Sequence, residues 1–224
     1  MMNPLALPRG SVLPCPRCTW TRAFLLLLTA LFAVGCASGD GKLATEWHAT
    51  FDDGAGWQLS SDAVADVSVT GGVLQVHVFD AGQVAWASSQ DSWGDVHLTV
   101  EATQVSGPHD NEYGVLLRMG DDQHFYAFSI SGDGYARVAR YDNGSWTVLG
   151  PDWVPNDAIN RGEATNLIEV IAQGTAFAFR VNGQSVLEID DAAFTLGTVG
   201  LYAGAFSEGD VVVAFDNLDV VPLP

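Results

Sequence analysis

The sequence predicts an all-β protein built as a two-sheet antiparallel jelly-roll β-sandwich. Three observations lead there. From Trp47 onward apolar residues recur with a period of two, the repeat of a strand with one buried face. Tight-turn pairs interrupt the runs: Gly71-Gly72, Asp133-Gly134, Asn143-Gly144 and Asn182-Gly183. No segment sustains a helical stripe over three turns, and no fixed-period repeat suggests a propeller.

Each strand follows from its own pattern. Residues 95–105 alternate cleanly, with Val96, Leu98, Val100 and Ala102 on one face and His97, Thr99, Glu101 and Thr103 on the other. Residues 210–220 place Val211, Val213 and Phe215 together. Further strands are predicted at 47–51, 73–79, 84–88, 112–119, 123–130, 135–141, 145–149, 166–173, 176–181, 184–189 and 198–205. Asn-Gly pairs suit two-residue type I′ hairpins, which need positive φ at both central positions. So many short strands bury their apolar faces by stacking two sheets.

Residues 1–35 read as a leader rather than as folded protein. Arg9, Arg17 and Arg22 precede the apolar run Ala23–Gly35. That run is shorter than the ~20 residues a spanning helix needs and fits the core of a secretory signal. Ala33-Val34-Gly35-Cys36 resembles a lipobox, which makes Cys36 the predicted lipidation site. An ordinary cut near Ala37 or Ser38 is the alternative. Beyond the cut Cys36 is the only cysteine, so no disulfide forms within the mature chain. Cys15 and Cys18 have zinc-ribbon spacing but no second pair, and they precede the cut. Residues 36–46 read as an acylated tether and 47–221 as the domain. By resemblance to lipoproteins of two-membraned bacteria, the lack of Asp after Cys36 favours the outer membrane.

All 27 acidic residues lie beyond Cys36, against six basic ones. Nucleic acid is therefore not an expected partner, because its binding rests on Lys and Arg neutralising phosphate. Adsorption to anionic lipid is excluded on the same ground, which leaves the acyl group as the only membrane contact. Strong acidity keeps an exposed domain soluble and also suits Ca²⁺.

The ordered set Phe51-Asp52-Asp53-Gly54, Gly56-Trp57, Tyr113 to Arg118, Phe125 to Ile130, Asn143 to Trp146, Val181 to Gly183, Gly197 to Leu201 and Ala214 to Leu218 resembles the concanavalin A-like lectin/glucanase superfamily. It is most similar to bacterial extracellular domains of the 3-keto-disaccharide hydrolase and family-16 glucanase types. The resemblance spans roughly residues 47–221. It implies a jelly roll whose concave sheet faces carbohydrate. It also implies a structural Ca²⁺ where the first and last strands meet, held by Asp52, Asp53 and Asp216 with help from the Gly71-Gly72 carbonyls. Capping of turns by Asp is the competing role for those carboxylates. The glucanases carry alternating acids on one strand, and retaining chemistry needs two carboxyls ~5–5.5 Å apart. Glu188 and Asp190 share a face, but Ala192 stands at the next position. Catalysis through this segment is not expected.

The candidate ligand residues are Arg118, Arg137 and Arg140 with Tyr126, Tyr141 and Trp146. Arginine forks hydrogen bonds to sugar hydroxyls or carboxylates, and aromatic faces stack on pyranose rings. Arg137 and Arg140 differ in parity, so a regular strand sends them to opposite faces. Each arginine pairing with a carboxylate, and each aromatic serving the core, is the plainer alternative. Asp121-Asp122 and Asp190-Asp191 read as solvated hairpin tips. No two histidines have metal-ligand spacing, although His77 and His97 have the opportunity to meet across a sheet. The expected protein is a lipid-anchored envelope module that binds carbohydrate or another surface without catalysis. Its alternatives are a glycoside-processing enzyme and a purely structural envelope lipoprotein.

Overall fold

The computed structural model describes residues 45–224. The leader, Cys36 and all but the end of the tether lie outside the described residues. Residues 45–224 lie in one compact unit. Sixteen strands and no helix are present among the described residues.

The strands form two eight-stranded antiparallel sheets. Sheet I contains, in spatial order, β14 (Gln184–Asp190), β13 (Ala176–Val181), β12 (Thr165–Gln173), β6 (Val96–Ser106), β16 (Val211–Pro222), β4 (Val73–Val78) and β3 (Ala65–Thr70), with β1 (Trp47–Ala49) also paired to β16. Sheet II contains β10 (Ser145–Val148), β9 (Tyr135–Asp142), β8 (His124–Ile130), β7 (Asn111–Asp121), β15 (Gly197–Ala205), β5 (Val84–Trp93) and β2 (Trp57–Gln58), with β11 (Val154–Pro155) paired to β9. The fold is the predicted all-β sandwich.

Alternation in the sequence becomes the core. Val96, Leu98, Val100 and Ala102 of β6 meet Phe177 and Phe179 of β13 and Phe215 of β16 between the sheets, together with Tyr126, Phe128 and Leu201 from sheet II. Each fully buried Leu, Val or Phe contributes about 1.5–3 kcal/mol of transfer free energy. The opposite faces diverge. Sheet I turns His97, Glu169 and Arg180 outward, with His97 Nε2 2.8 Å from Glu169. Sheet II has a second apolar cluster on its outer side: Leu116, Met119, Phe125, Ala127, Tyr141 and Tyr202, with Val84 and Trp86 against it.

Three strands went unpredicted. β2 and β11 are two residues each, too short to show a period. β3 alternates only Ala65, Val67 and Val69 after a polar stretch. β5 runs past the predicted end at 88 because its polar half is satisfied locally. Buried Ser89 donates to Asp91 O at 2.9 Å and accepts from Val199 N at 2.9 Å. His77 and His97 do not meet: they pair with β16 at Val212 and Val221, far apart along that strand.

Candidate functional site

The outer face of sheet II is set by hairpin register. The Asn143-Gly144 turn, with φ of 48° and 82°, pairs Asp142 with Ser145 and so places Trp146 opposite Tyr141. Tyr141 pairs in turn with Phe125 of β8. The result is a line of rings across the sheet. Ring centroids are 4.8 Å apart for Tyr141–Trp146, 5.2 Å for Phe125–Tyr141, 5.7 Å for Phe125–Trp146 and 6.3 Å for Trp86–Phe125. Trp146 is 42% exposed, and Trp86 is half-buried. Two hollows of about 360 and 280 Å³ flank Trp86 and share Gln58, Trp86 and Ser88. Asp121 and Asp122 line the smaller. The space is a shallow surface rather than an enclosed pocket, and the larger hollow sits at the β2–β5 edge, away from Arg137.

Beside the rings lies a polar row. Arg137 pairs with Ser129, Ser129 with Gly114, and Gly114 with Tyr202. A Cβ at Gly114 (φ 156°) would stand 2.1 Å from Phe128 O, so only glycine permits this close strand approach. The Tyr202 hydroxyl bonds Ser129 Oγ and donates to Glu112 Oε2 at 3.4 Å. Burial raises the Glu112 carboxyl above its ordinary pKa, against the opposing pull of Arg137 and Tyr202. Burial, then the charge of Glu112, pushes the Tyr202 hydroxyl well up. The Arg137 guanidinium lies 5.6 Å from the Trp146 ring and 5.7 Å from that of Trp153, with Asp152 Oδ1 3.3 Å from its Nε.

The six candidate ligand residues do not form one patch. Arg137, Tyr141 and Trp146 share the outer face. Arg118, Tyr126 and Arg140 turn elsewhere, and their placement corrects the sequence reading. Arg118 is 2% exposed. Its guanidinium donates to Gly174 O at 2.8 Å, Phe194 O at 2.9 Å, Gly94 O at 3.4 Å and Asp95 Oδ1 at 3.0 Å. It ties three connections together at one end of the sandwich. A bulge after Leu117 and a positive φ of 49° at Arg118 turn the side chain there. Tyr126 is fully buried against Phe177, and its hydroxyl donates to Asp191 at 2.6 Å. Arg140 is ion-paired with Asp191. Asp191 is thus no solvated tip. Burial would raise its carboxyl, but Tyr126, the Ala193 N–H and Arg140 together hold it below the usual carboxylate range.

The calcium constellation also fails to assemble. Asp52 accepts from Thr50 Oγ1, Asp53 caps Ala55 N, and Asp216 accepts from Asn217 N. Among the described residues no group of three or more His, Cys, Asp or Glu side chains converges at metal-ligand spacing. These carboxylates serve their own turns instead. Glu188 and Asp190 lie exposed on edge strand β14.

Sequence reasoning missed Trp86, Phe125, Glu112, Trp153 and Tyr202. The pairing of Phe125 with Tyr141 across one hairpin was readable. The closeness of Glu112 to Arg137 was not, since it depends on strand order.

Several solved structures share this architecture. The carbohydrate-binding module CBM66 from Bacillus subtilis superposes with a TM-score of 0.57 at 18% identity, over 73% of this chain and 93% of the module. The shared fold is a two-sheet antiparallel jelly-roll β-sandwich. A Bacillus subtilis protein of unknown function with a galectin-like fold gives a TM-score of 0.57 at 12% identity, over 80% of this chain and 96% of that one. The Crh5 transglycosylase gives 0.60 at 12%, over 82% and 87%. No protein-family model matches the sequence, and no curated protein does.

Proposed function

We propose that this protein is a lipid-anchored envelope module that binds carbohydrate on the outer face of sheet II without processing it. The line of rings from Trp86 through Phe125 and Tyr141 to half-exposed Trp146 carries this reading. Trp146 and Trp86 reach solvent over buried Phe125 and Tyr141, and exposed aromatics bordered by a few fixed polar groups suit a sugar, whose ring faces are apolar and whose rim is hydroxylated. Partly exposed Glu112 and Arg137 supply that polar border, with the buried hydroxyls of Ser129 and Tyr202 beneath it. The similarity to a carbohydrate-binding module supports the reading at the level of fold. The lipobox-like segment at Cys36 supports the anchor.

Glycan-array screening followed by calorimetry on the full chain tests the binding. Saturable binding to at least one polysaccharide is expected, and Trp146→Ala weakens it by about tenfold or more, as loss of an aromatic anchor does. Absence of saturable binding, or indifference to Trp146→Ala, contradicts it. For the anchor, mass spectrometry of the mature protein finds an acylated Cys36 at its N-terminus. A chain with the leader still attached and no fatty acid contradicts that part.

Glu112 favours one second reading. A carboxyl raised in pKa beside a ligand face has the character of a general acid, as a glycoside-processing enzyme requires. Turnover of an oligosaccharide that Glu112→Gln abolishes would replace the non-catalytic reading with this one.

A further inference from the structure

The surroundings of Arg137 are built in an unusual way. Its side chain is 19% exposed, and its Nε is buried with no hydrogen-bond partner of adequate geometry. Its only ion pair among the described residues is with Asp152, a side chain 64% exposed in the loop between β10 and β11. A buried donor left unpaired is costly, and Arg137 Nε is one of four such side-chain atoms among the described residues, with Trp57 Nε1, Gln104 Oε1 and Arg140 Nε. The next residue of that loop, Trp153, holds a φ of 38°. For a bulky side chain this is strained backbone, a conformation that clusters where a ligand is clamped. The strain positions the Trp153 ring near the guanidinium and against Phe206, at 5.7 Å. Trp146 stands at 5.6 Å. Arg137 is therefore a fork boxed by two indoles, with a loosely held carboxylate at its mouth.

We infer that Arg137 receives the carboxylate of an acidic sugar, a uronate, which displaces Asp152 while Trp146 and Trp153 flank the ring. This rests on the outer face of sheet II being the sugar site and names the class of sugar. A guanidinium fork matches a carboxylate in a paired geometry that a hydroxyl does not offer. The charges facing the site are Arg137 of β9, Asp152 of the β10–β11 loop and Glu112 of β7, with the Tyr202 hydroxyl of β15 beside Glu112. Glu112 is the group that would repel an anion. Burial makes its neutral form easier to reach, so a bound carboxylate draws a proton onto it. Affinity for the uronate accordingly rises as pH falls through the pKa of Glu112.

The test is calorimetry on the full chain with oligomers of galacturonate, of mannuronate and of glucuronate-containing chondroitin, each beside its methyl ester. At least one acid binds about tenfold tighter than its own ester, the value of a charge-assisted hydrogen bond. Arg137→Gln removes that preference while Trp146→Ala weakens acid and ester alike. Asp152→Asn, which removes the competing carboxylate, tightens the acid alone. Circular dichroism of each variant confirms that it is folded. Equal affinity for every acid and its ester, or a preference that survives Arg137→Gln, overturns the inference and leaves the sugar-binding face standing. Failure of neutral and acidic glycans alike overturns both.

Discussion

At the scale of single residues, Arg118 sits in an apolar strand and is spent entirely inside the protein. It satisfies the carbonyls of Gly94, Gly174 and Phe194 and pairs with Asp95, which also accepts from Gly174 N at 3.0 Å. Removing it leaves those acceptors and one carboxylate without their cation. Arg118→Met is expected to lower stability by about 3–5 kcal/mol in urea unfolding, the usual cost of breaking a buried pair. A loss below about 1 kcal/mol contradicts the clasp. Two carboxyls give opposite pH arms. The pKa of Asp191 is depressed in the folded state, so its contribution is present above the unfolded value of about 3.9 and is lost as pH falls through the folded one. Asp191→Asn therefore flattens the acid limb of the stability profile. The pKa of Glu112 is raised, so its contribution is full below about 4.3 and disappears as pH rises through the folded value. Glu112→Gln is expected to relieve that loss, gaining stability relative to wild type above that window. Thermal unfolding from pH 3 to 8 reads both, and parallel profiles for all three proteins contradict the assignments.

At the scale of elements, the hairpin turns were the most legible feature of the sequence. Asn143 and Asn182 both hold positive φ, at 48° and 51°, as the Asn-Gly pairs demand. Their weights differ. Asn182 also donates to Ala158 O at 2.7 Å and to Asn166 Oδ1 at 2.9 Å, and accepts from Leu167 N at 2.9 Å. The Asn143 side chain, among the described residues, donates only to its neighbour Asp142. Asn182→Ala is expected to lose about 2–3 kcal/mol, from strain and several hydrogen bonds together, against about 1 kcal/mol for Asn143→Ala. Equal losses would show that backbone conformation alone sets the cost. Most long strands were readable because alternation over six or more residues leaves one solution, β3 behind its polar stretch being the exception. The two-residue strands β2 and β11 were not, because they exist only through partners already in place.

At the scale of the molecule, the sandwich was legible and the site only half so. Period-two patterning fixes which residues hide between sheets, but not what stands beside what across a sheet. Arg137, Tyr141 and Trp146 share parity through one tight turn, so sequence alone was able to group them. Arg118 escaped because a bulge breaks parity at that residue. Tyr126 and Arg140 escaped because they meet Asp191, a partner 51 to 65 positions away. Glu112 and Trp153 become neighbours of Arg137 only after three strands and a strained loop are assembled. The two outer faces that result are unlike: His97, Glu169 and Arg180 on sheet I, and ring after ring on sheet II.

The tryptophans allow a direct test of that asymmetry. Trp86, Trp146 and Trp153 stand on or beside the outer face of sheet II, whereas Trp47, Trp57 and Trp93 pack together at the start of the domain, Trp47 stacked on Trp93 at 5.6 Å. Indole N–H resonances of the full chain, followed by NMR while a bound oligosaccharide is titrated in, separate the two groups. Binding on sheet II moves the signals of Trp86, Trp146 and Trp153 and leaves those of Trp47, Trp57 and Trp93 in place. Movement of the second group with the first unchanged would contradict the assignment of this face.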